Sequence, residues 1–126
     1  MIGKIYCGYY NTKLKHGVFK IGMTEQGVGT RASQIRQNYG GDFTIADYVK
    51  LPKDATKPIL LFIESYVRLR LQNVNGLTYC YNSLDHFKFE AANHAEMVQK
   101  AQNFAKLVKQ FALEGYDLAK NFEKTY

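Results

Sequence analysis

The chain has 126 residues, 46% hydrophobic and 14% aromatic, which suits one ordered domain with a single modest core and excludes a low-complexity chain. Its +6 formal charge is uneven: residues 1–40 carry six basic groups against one acid, and residues 41–126 carry eleven against ten. No apolar run approaches the ~20 residues of a membrane span, and MIGKIYCGYY lacks a signal-peptide pattern, so no membrane partner and a cytoplasmic location are expected. Cys7 and Cys80 form no CxxC pair or disulfide framework, and His16, His86 and His94 are too scattered for a zinc site. The basic first third has two readings, a surface for a polyanion such as nucleic acid or a solvated face that aids solubility.

Residues 2–10 alternate as a strand, with Ile5 and Cys7 on one face and Lys4 and Tyr6 on the other. Asn11–Gly17 reads as a polar hairpin loop, and residues 18–24 as a second strand with Phe19, Ile21 and Met23 on one face and Lys20 and Gly22 on the other. If the apolar faces coincide, Tyr6 and Lys20 share the opposite face. A helix follows from Thr30, its expected cap, to Tyr39, stopped by Gly40–Gly41, with Ala32, Ile35 and Tyr39 as its buried stripe. Arg31 opens this helix, where a cation is poorly placed unless an anion comes to meet it.

FTIADYVKL, residues 43–51, alternates as a third strand. Asp54 or Thr56 caps a second helix that admits Pro58 in its first turn and runs to about Gln72. Leu60, Glu64, Val67 and Leu71 fall on one stripe of it, which places a carboxylate in the middle of an apolar face. Such a group needs a cation, a hydrogen-bond network or a metal ion, and the plain alternative is an i,i+4 ion pair with Arg68 or a wet stripe edge. Residues 76–89 hold short β-like pieces around TYCY and HFKF and are ambiguous. Asn93 and Glu96 form a capping box for a long last helix, which Gly115 is expected to break or kink. Met97, Ala101, Phe104, Val108, Phe111, Gly115, Leu118 and Phe122 follow a heptad-like seam; cover for the sheet of the same chain is favoured over a homodimer interface. The glycine-bearing loop before Arg31 matches neither GxxxxGK[ST] nor GxGxxG.

Taken in order, Ile5–Tyr6, Lys20–Ile21–Gly22, an arginine opening a helix, a third strand and a helix with an inward glutamate resemble the GIY-YIG nuclease superfamily. The resemblance spans about residues 3–72, with weaker support to about residue 89. The first motif reads GKIY, with Gly3 one residue early and Lys4 in the family's glycine position. The second reads KIG, with Lys20 where many members have tyrosine, as in a phage and bacterial branch. Arg31 and Glu64 match the family's arginine and metal-binding glutamate, and Asn82 and His86 are candidates for a polar residue many members carry after that helix.

The resemblance implies an α/β fold, a small three-stranded antiparallel sheet flanked by helices, in a nuclease domain over residues 1–89. Residues 90–126 would be a C-terminal helical extension packed on the same domain. It implies an endonuclease that hydrolyses phosphodiester bonds in DNA, with RNA left open, using Mg²⁺ or Mn²⁺ held by Glu64 as a Lewis acid. Arg31 would donate to the phosphate and Tyr6 would position or deprotonate the water. A phenol of pKa near ~10 needs a neighbouring cation for that, and Lys20 is the nearest candidate. Lys13, Lys15 and Arg36 are the expected nucleic-acid contacts. Two other classes remain open: an inert module of this fold binding nucleic acid or a protein, and an assembly subunit using the C-terminal seam.

Overall fold

The alternation at the start of the chain folds into a hairpin. A computed structural model describes residues 2–11, 16–39, 42–80 and 85–125. In it β1 (Lys4–Tyr10) pairs antiparallel with β2 (His16–Thr24), setting Tyr6 opposite Gly22, Cys7 opposite Ile21 and Gly8 opposite Lys20. Ile5, Cys7, Phe19 and Ile21 are fully buried in one core, so the apolar faces coincide and Tyr6, Lys20 and Gly22 share the other face. β3 (Phe43–Lys50) lies along the outer side of β1, with a register shift between Cys7 and Gly8.

The sheet is larger than the three strands expected. β4 (Thr78–Tyr79) and β5 (His86–Glu90) extend it to five antiparallel strands in the order β3-β1-β2-β5-β4. Phe87 and Phe89 alternate with exposed Lys88 and send both rings into the core. Five residues of alternation, beside a two-residue strand, are too little signal to separate from loop; pairing along β2 makes them a sheet. β2 also begins before the expected loop ends, at His16.

Helices cover the two faces unequally. α1 (Val28–Tyr39) sets Ala32 and Ile35 against Tyr6, Tyr10 and Phe43. It starts two residues earlier than expected. The Arg31 N–H bonds the Gly27 carbonyl at 3.1 Å, so Gly27, not Thr30, is the cap position. Its expected stop, Gly40–Gly41, lies outside the described residues.

On the opposite face lie α2 (Lys57–Leu71) and α3 (His94–Thr125). Thr56 is the N-cap of α2, without a side-chain bond, and Pro58 sits in the first turn. Asp54 instead accepts hydrogen bonds from Tyr116 Oη at 2.7 Å and Lys120 Nζ at 2.9 Å, which ties the start of α2 to α3. At the start of α3, Asn93 Oδ1 accepts the Glu96 N–H at 2.9 Å, and the Glu96 carboxylate pairs with Lys100.

Gly115 does not break α3, which runs as one helix from His94 to Thr125. A Cβ there would lie 3.0 Å from the Tyr66 ring, so the glycine is a close-packing point between the two helices. Met97, Ala101, Phe104, Val108 and Phe111 are buried against the same chain, and Phe104 meets Phe19 and Phe89 edge-on. That part of the seam is cover for the sheet; of its eight positions Leu118 and Phe122 remain exposed. Among the described residues no helix is long and apolar enough to cross a membrane.

Candidate active site

The thinly covered face carries the polar cluster. Its base is the Tyr6–Gly22 cross-strand pair: a Cβ at position 22 would lie 2.3 Å from Tyr6 Oη and 2.5 Å from Cζ. The tyrosine ring therefore lies over the glycine, which explains why the second motif ends in a residue without a side chain. Lys20, two residues earlier on the same face, is only 2% exposed and holds its Nζ 5.7 Å from the Tyr6 ring centroid. The ammonium donates to the Ile21 carbonyl at 3.2 Å and faces Asp85 Oδ2 at 3.9 Å.

Arg31 reaches this face from α1. Its Nε donates to Tyr6 Oη at 3.2 Å, and Nη1 donates to Gln34 Oε1 at 3.2 Å, one turn on. The cation near the helix start thus meets a buried phenol and a side-chain amide in this state.

Glu64 comes from α2, in the helix layer on the opposite face, and its charge acts on both Tyr6 and Lys20. Among the described residues β5 pairs with β2 from His16 to Lys20, and one further bond runs from the Ile21 N–H to the Asp85 carbonyl at 3.0 Å. α2 packs on β2, and the Met23 backbone favours the charged form of the Glu64 carboxylate. Arg68 Nη2 lies 3.4 Å from Glu64 Oε1 and 3.5 Å from Asp85 Oδ1, so the i,i+4 ion pair does form and is extended to a second acid.

Burial works against the charged forms of Tyr6, Lys20, Glu64 and His86. The Tyr6 hydroxyl is pushed above the usual phenol range by burial, with Arg31 pulling it down and Glu64 and Asp85 adding to the rise. The expectation that a cation, Lys20, lowers it is corrected on both counts: Arg31 is the cation that acts, and desolvation outweighs it. Lys20 is pushed down by burial, against the pull of Asp85. Glu64 is pushed up by burial and then by Asp85, with Arg68, Lys20 and Met23 opposing. His86 is pushed down by burial and Lys20; its Nε2 lies 3.2 Å from Tyr10 Oη, and the two rings stack. An anion beside Arg31 and Lys20, or a cation beside Glu64 and Asp85, would each relieve part of this cost.

Tyr6, Lys20, Arg31 and Glu64 are therefore brought together from β1, β2, α1 and α2. Arg36 stands apart, its Nε donating to the Phe43 carbonyl at 2.9 Å and tying α1 to β3. Lys13, Lys15 and Asn82 lie outside the described residues. Sequence reasoning missed Asp85. An acid one residue before a five-residue strand has no periodic signature, and its place follows from where β5 begins. Arg68 was visible as the i+4 partner of Glu64, but not as a bridge.

Glu64 and Asp85 are the acids available to a cation; among the described residues no group of three or more His, Cys, Asp or Glu is arranged to hold one. Asp85 Oδ1 is buried with no hydrogen bond, its neighbour being Arg68 Nη2 at 3.5 Å, the nitrogen that also faces Glu64. All-oxygen donors in small number suit a hard ion that keeps most of its waters, so the residues fit Mg²⁺ or Mn²⁺ and do not fit zinc. An open groove of about 690 Å³ lies elsewhere, along β4 and the start of α3, lined by Leu77, Thr78, Lys88 and Phe104 and by none of these residues. Compared with family models, curated proteins and solved structures, the chain matches none.

Proposed function

We propose that the protein is a metal-dependent endonuclease acting on DNA in the cytoplasm by a GIY-YIG-type mechanism. The observation that carries this reading is the convergence of Tyr6, Lys20, Arg31 and Glu64, four residues far apart in sequence, on one polar cluster. Phosphodiester hydrolysis needs an oriented water and compensation for charge that grows on phosphate. When bound, Mg²⁺ or Mn²⁺ supplies a Lewis acid for the phosphate oxygens, with Glu64 as the residue that holds it. Arg31 turns its planar donor fork toward the phosphate and gives the helix start its anion. Tyr6 Oη orients the attacking water. In its ionised form, favoured by Arg31 and disfavoured by burial, it also takes the water's proton. Lys20 adds positive charge beneath the same oxygens.

Supercoiled plasmid incubated with Mg²⁺ and with EDTA tests this directly. Cleavage is expected with the metal alone, and Glu64→Ala is expected to abolish it while nucleic-acid affinity stays within a few-fold of wild type. Near-normal cutting by that variant would remove Glu64 from the mechanism. A second reading, an inert module of this fold that binds nucleic acid or a protein, is favoured by one observation: Arg68 already compensates Glu64 and Asp85. Binding to DNA or RNA unaffected by EDTA, with no cleavage, would select it. A homodimer through α3 would rest on its exposed end, Leu118 and Phe122.

A further inference from the structure

The Arg68 bridge is a poor fit for the charges that it joins. Arginine pairs best with carboxylates through two parallel, short hydrogen bonds from its fork. Here one nitrogen, Nη2, serves two different carboxylates at 3.4 and 3.5 Å. Arg68 Nε is buried without an acceptor, and Asp85 Oδ1 is buried without a hydrogen-bonded donor. The other Asp85 oxygen faces Lys20 Nζ at 3.9 Å, and the Asp85 carbonyl is fixed to β2 through the Ile21 N–H. Asp85 is thereby anchored by its backbone to β2, the strand on which α2 also packs. A spherical cation has no fork to align and takes carboxylate oxygens one at a time, filling its remaining positions with water.

We propose that Asp85 is the second carboxylate of the divalent-cation position at Glu64, and that Arg68 is the internal counter-ion which the divalent cation displaces. The inference rests on the proposed function in one respect, that Glu64 binds the metal. Arg68 then has two partners in the metal-free protein and gives them up on loading. Its charge weakens metal binding while keeping the empty site folded.

Mn²⁺ affinity tests this without a substrate, read from electron paramagnetic resonance of the free ion and from thermal melts over a Mn²⁺ series, since a ligand of the native state raises Tm with its concentration. Wild type, Glu64→Gln, Asp85→Asn and Arg68→Met are compared. Asp85→Asn is expected to weaken Mn²⁺ binding at least about tenfold. Arg68→Met is expected to tighten it several-fold and to lower the Tm of the metal-free protein. If Asp85→Asn loses its native near-UV circular dichroism, Asp85→Ser supplies the same reading. Wild-type affinity in the Asp85 variant, with loss in Glu64→Gln, overturns the inference and leaves the proposed function standing. Unchanged affinity in Arg68→Met overturns the displacement. No Mn²⁺ binding by the wild type removes both the inference and the metal site on which the proposed function depends.

Discussion

The two faces of the sheet are built to different standards. Beneath α2 and α3, Ile5, Cys7, Phe19, Ile21, Phe87 and Phe89 meet two helices in a thick, predominantly apolar core. Beneath α1 the cluster is small, Tyr6, Tyr10, Ala32, Ile35 and Phe43, and its tyrosines carry hydroxyls that bond Arg31 and His86. The thick side supplies apolar burial, the main favourable term in folding. The thin side tolerates a buried lysine, Lys20, because that term is secured elsewhere. Most of the apolar burial thus lies on one side of the sheet, while the polar cluster draws Tyr6, Lys20 and Arg31 from the other and Glu64 from α2.

Four changes would break or sharpen this contrast. The largest effect belongs to the thick side: Phe19→Ala, at a fully buried ring packed on Phe104, is expected to cost about 3–5 kcal/mol in denaturant unfolding. Next comes Arg31→Ala, expected to slow plasmid cleavage by at least about a hundredfold, as when one preorganised donor is lost. Its stability should shift by only about 1 kcal/mol, the worth of its bond to Tyr6 Oη. Arg31→Lys should restore little. Full activity in Arg31→Ala, with a marked loss of Tm, would make Arg31 a structural residue of the thin face.

Gly22→Ala is expected to be smaller, at about 1–3 kcal/mol, because the new methyl pushes into the Tyr6 ring. It should also lower cleavage by more than its loss of folded protein explains, since Tyr6 must move. The smallest effect is on pH dependence. Glu64 titrates above its ordinary 4.5 when folded, so the native protein holds more protons than the unfolded chain above that pH. The stability of the metal-free protein should therefore fall as pH rises from about 4.5 through the folded value, then level off. Glu64→Gln should remove this decline. Denaturant midpoints across the pH series, identical for the two proteins, would show that the carboxylate is not desolvated.

Much of the site was legible because strand and helix periods fix faces before any contact is known. Tyr6 and Lys20 fall on one face by a period of two, and Glu64 falls in an apolar stripe by a period of 3.6. Arg31 was conspicuous as a cation at a helix start. What sequence left out depends on where elements begin. Asp85 enters because β5 begins opposite Lys20, and the fourth and fifth strands exist because a short aromatic alternation finds the edge of β2. Gly115 looked like a break because glycine is a poor helix former; its neighbour Tyr66 on another helix gives it a packing role. The direction of the Tyr6 shift was misjudged because desolvation is a property of the assembled fold.

The pairing of β1 with β2 has a consequence for fidelity. One register places Ile5 and Ile21 in the thick core, Tyr6 over Gly22, and Lys20 beside the Tyr6 ring. A slip by one residue in either strand would turn the isoleucines toward the thin face and carry the tyrosine off its glycine in the same movement. A misaligned hairpin would therefore lose its core and its polar cluster together. Molecules that reach the assembled cluster have already passed the test of correct folding, so the chain inspects its own alignment without any outside help.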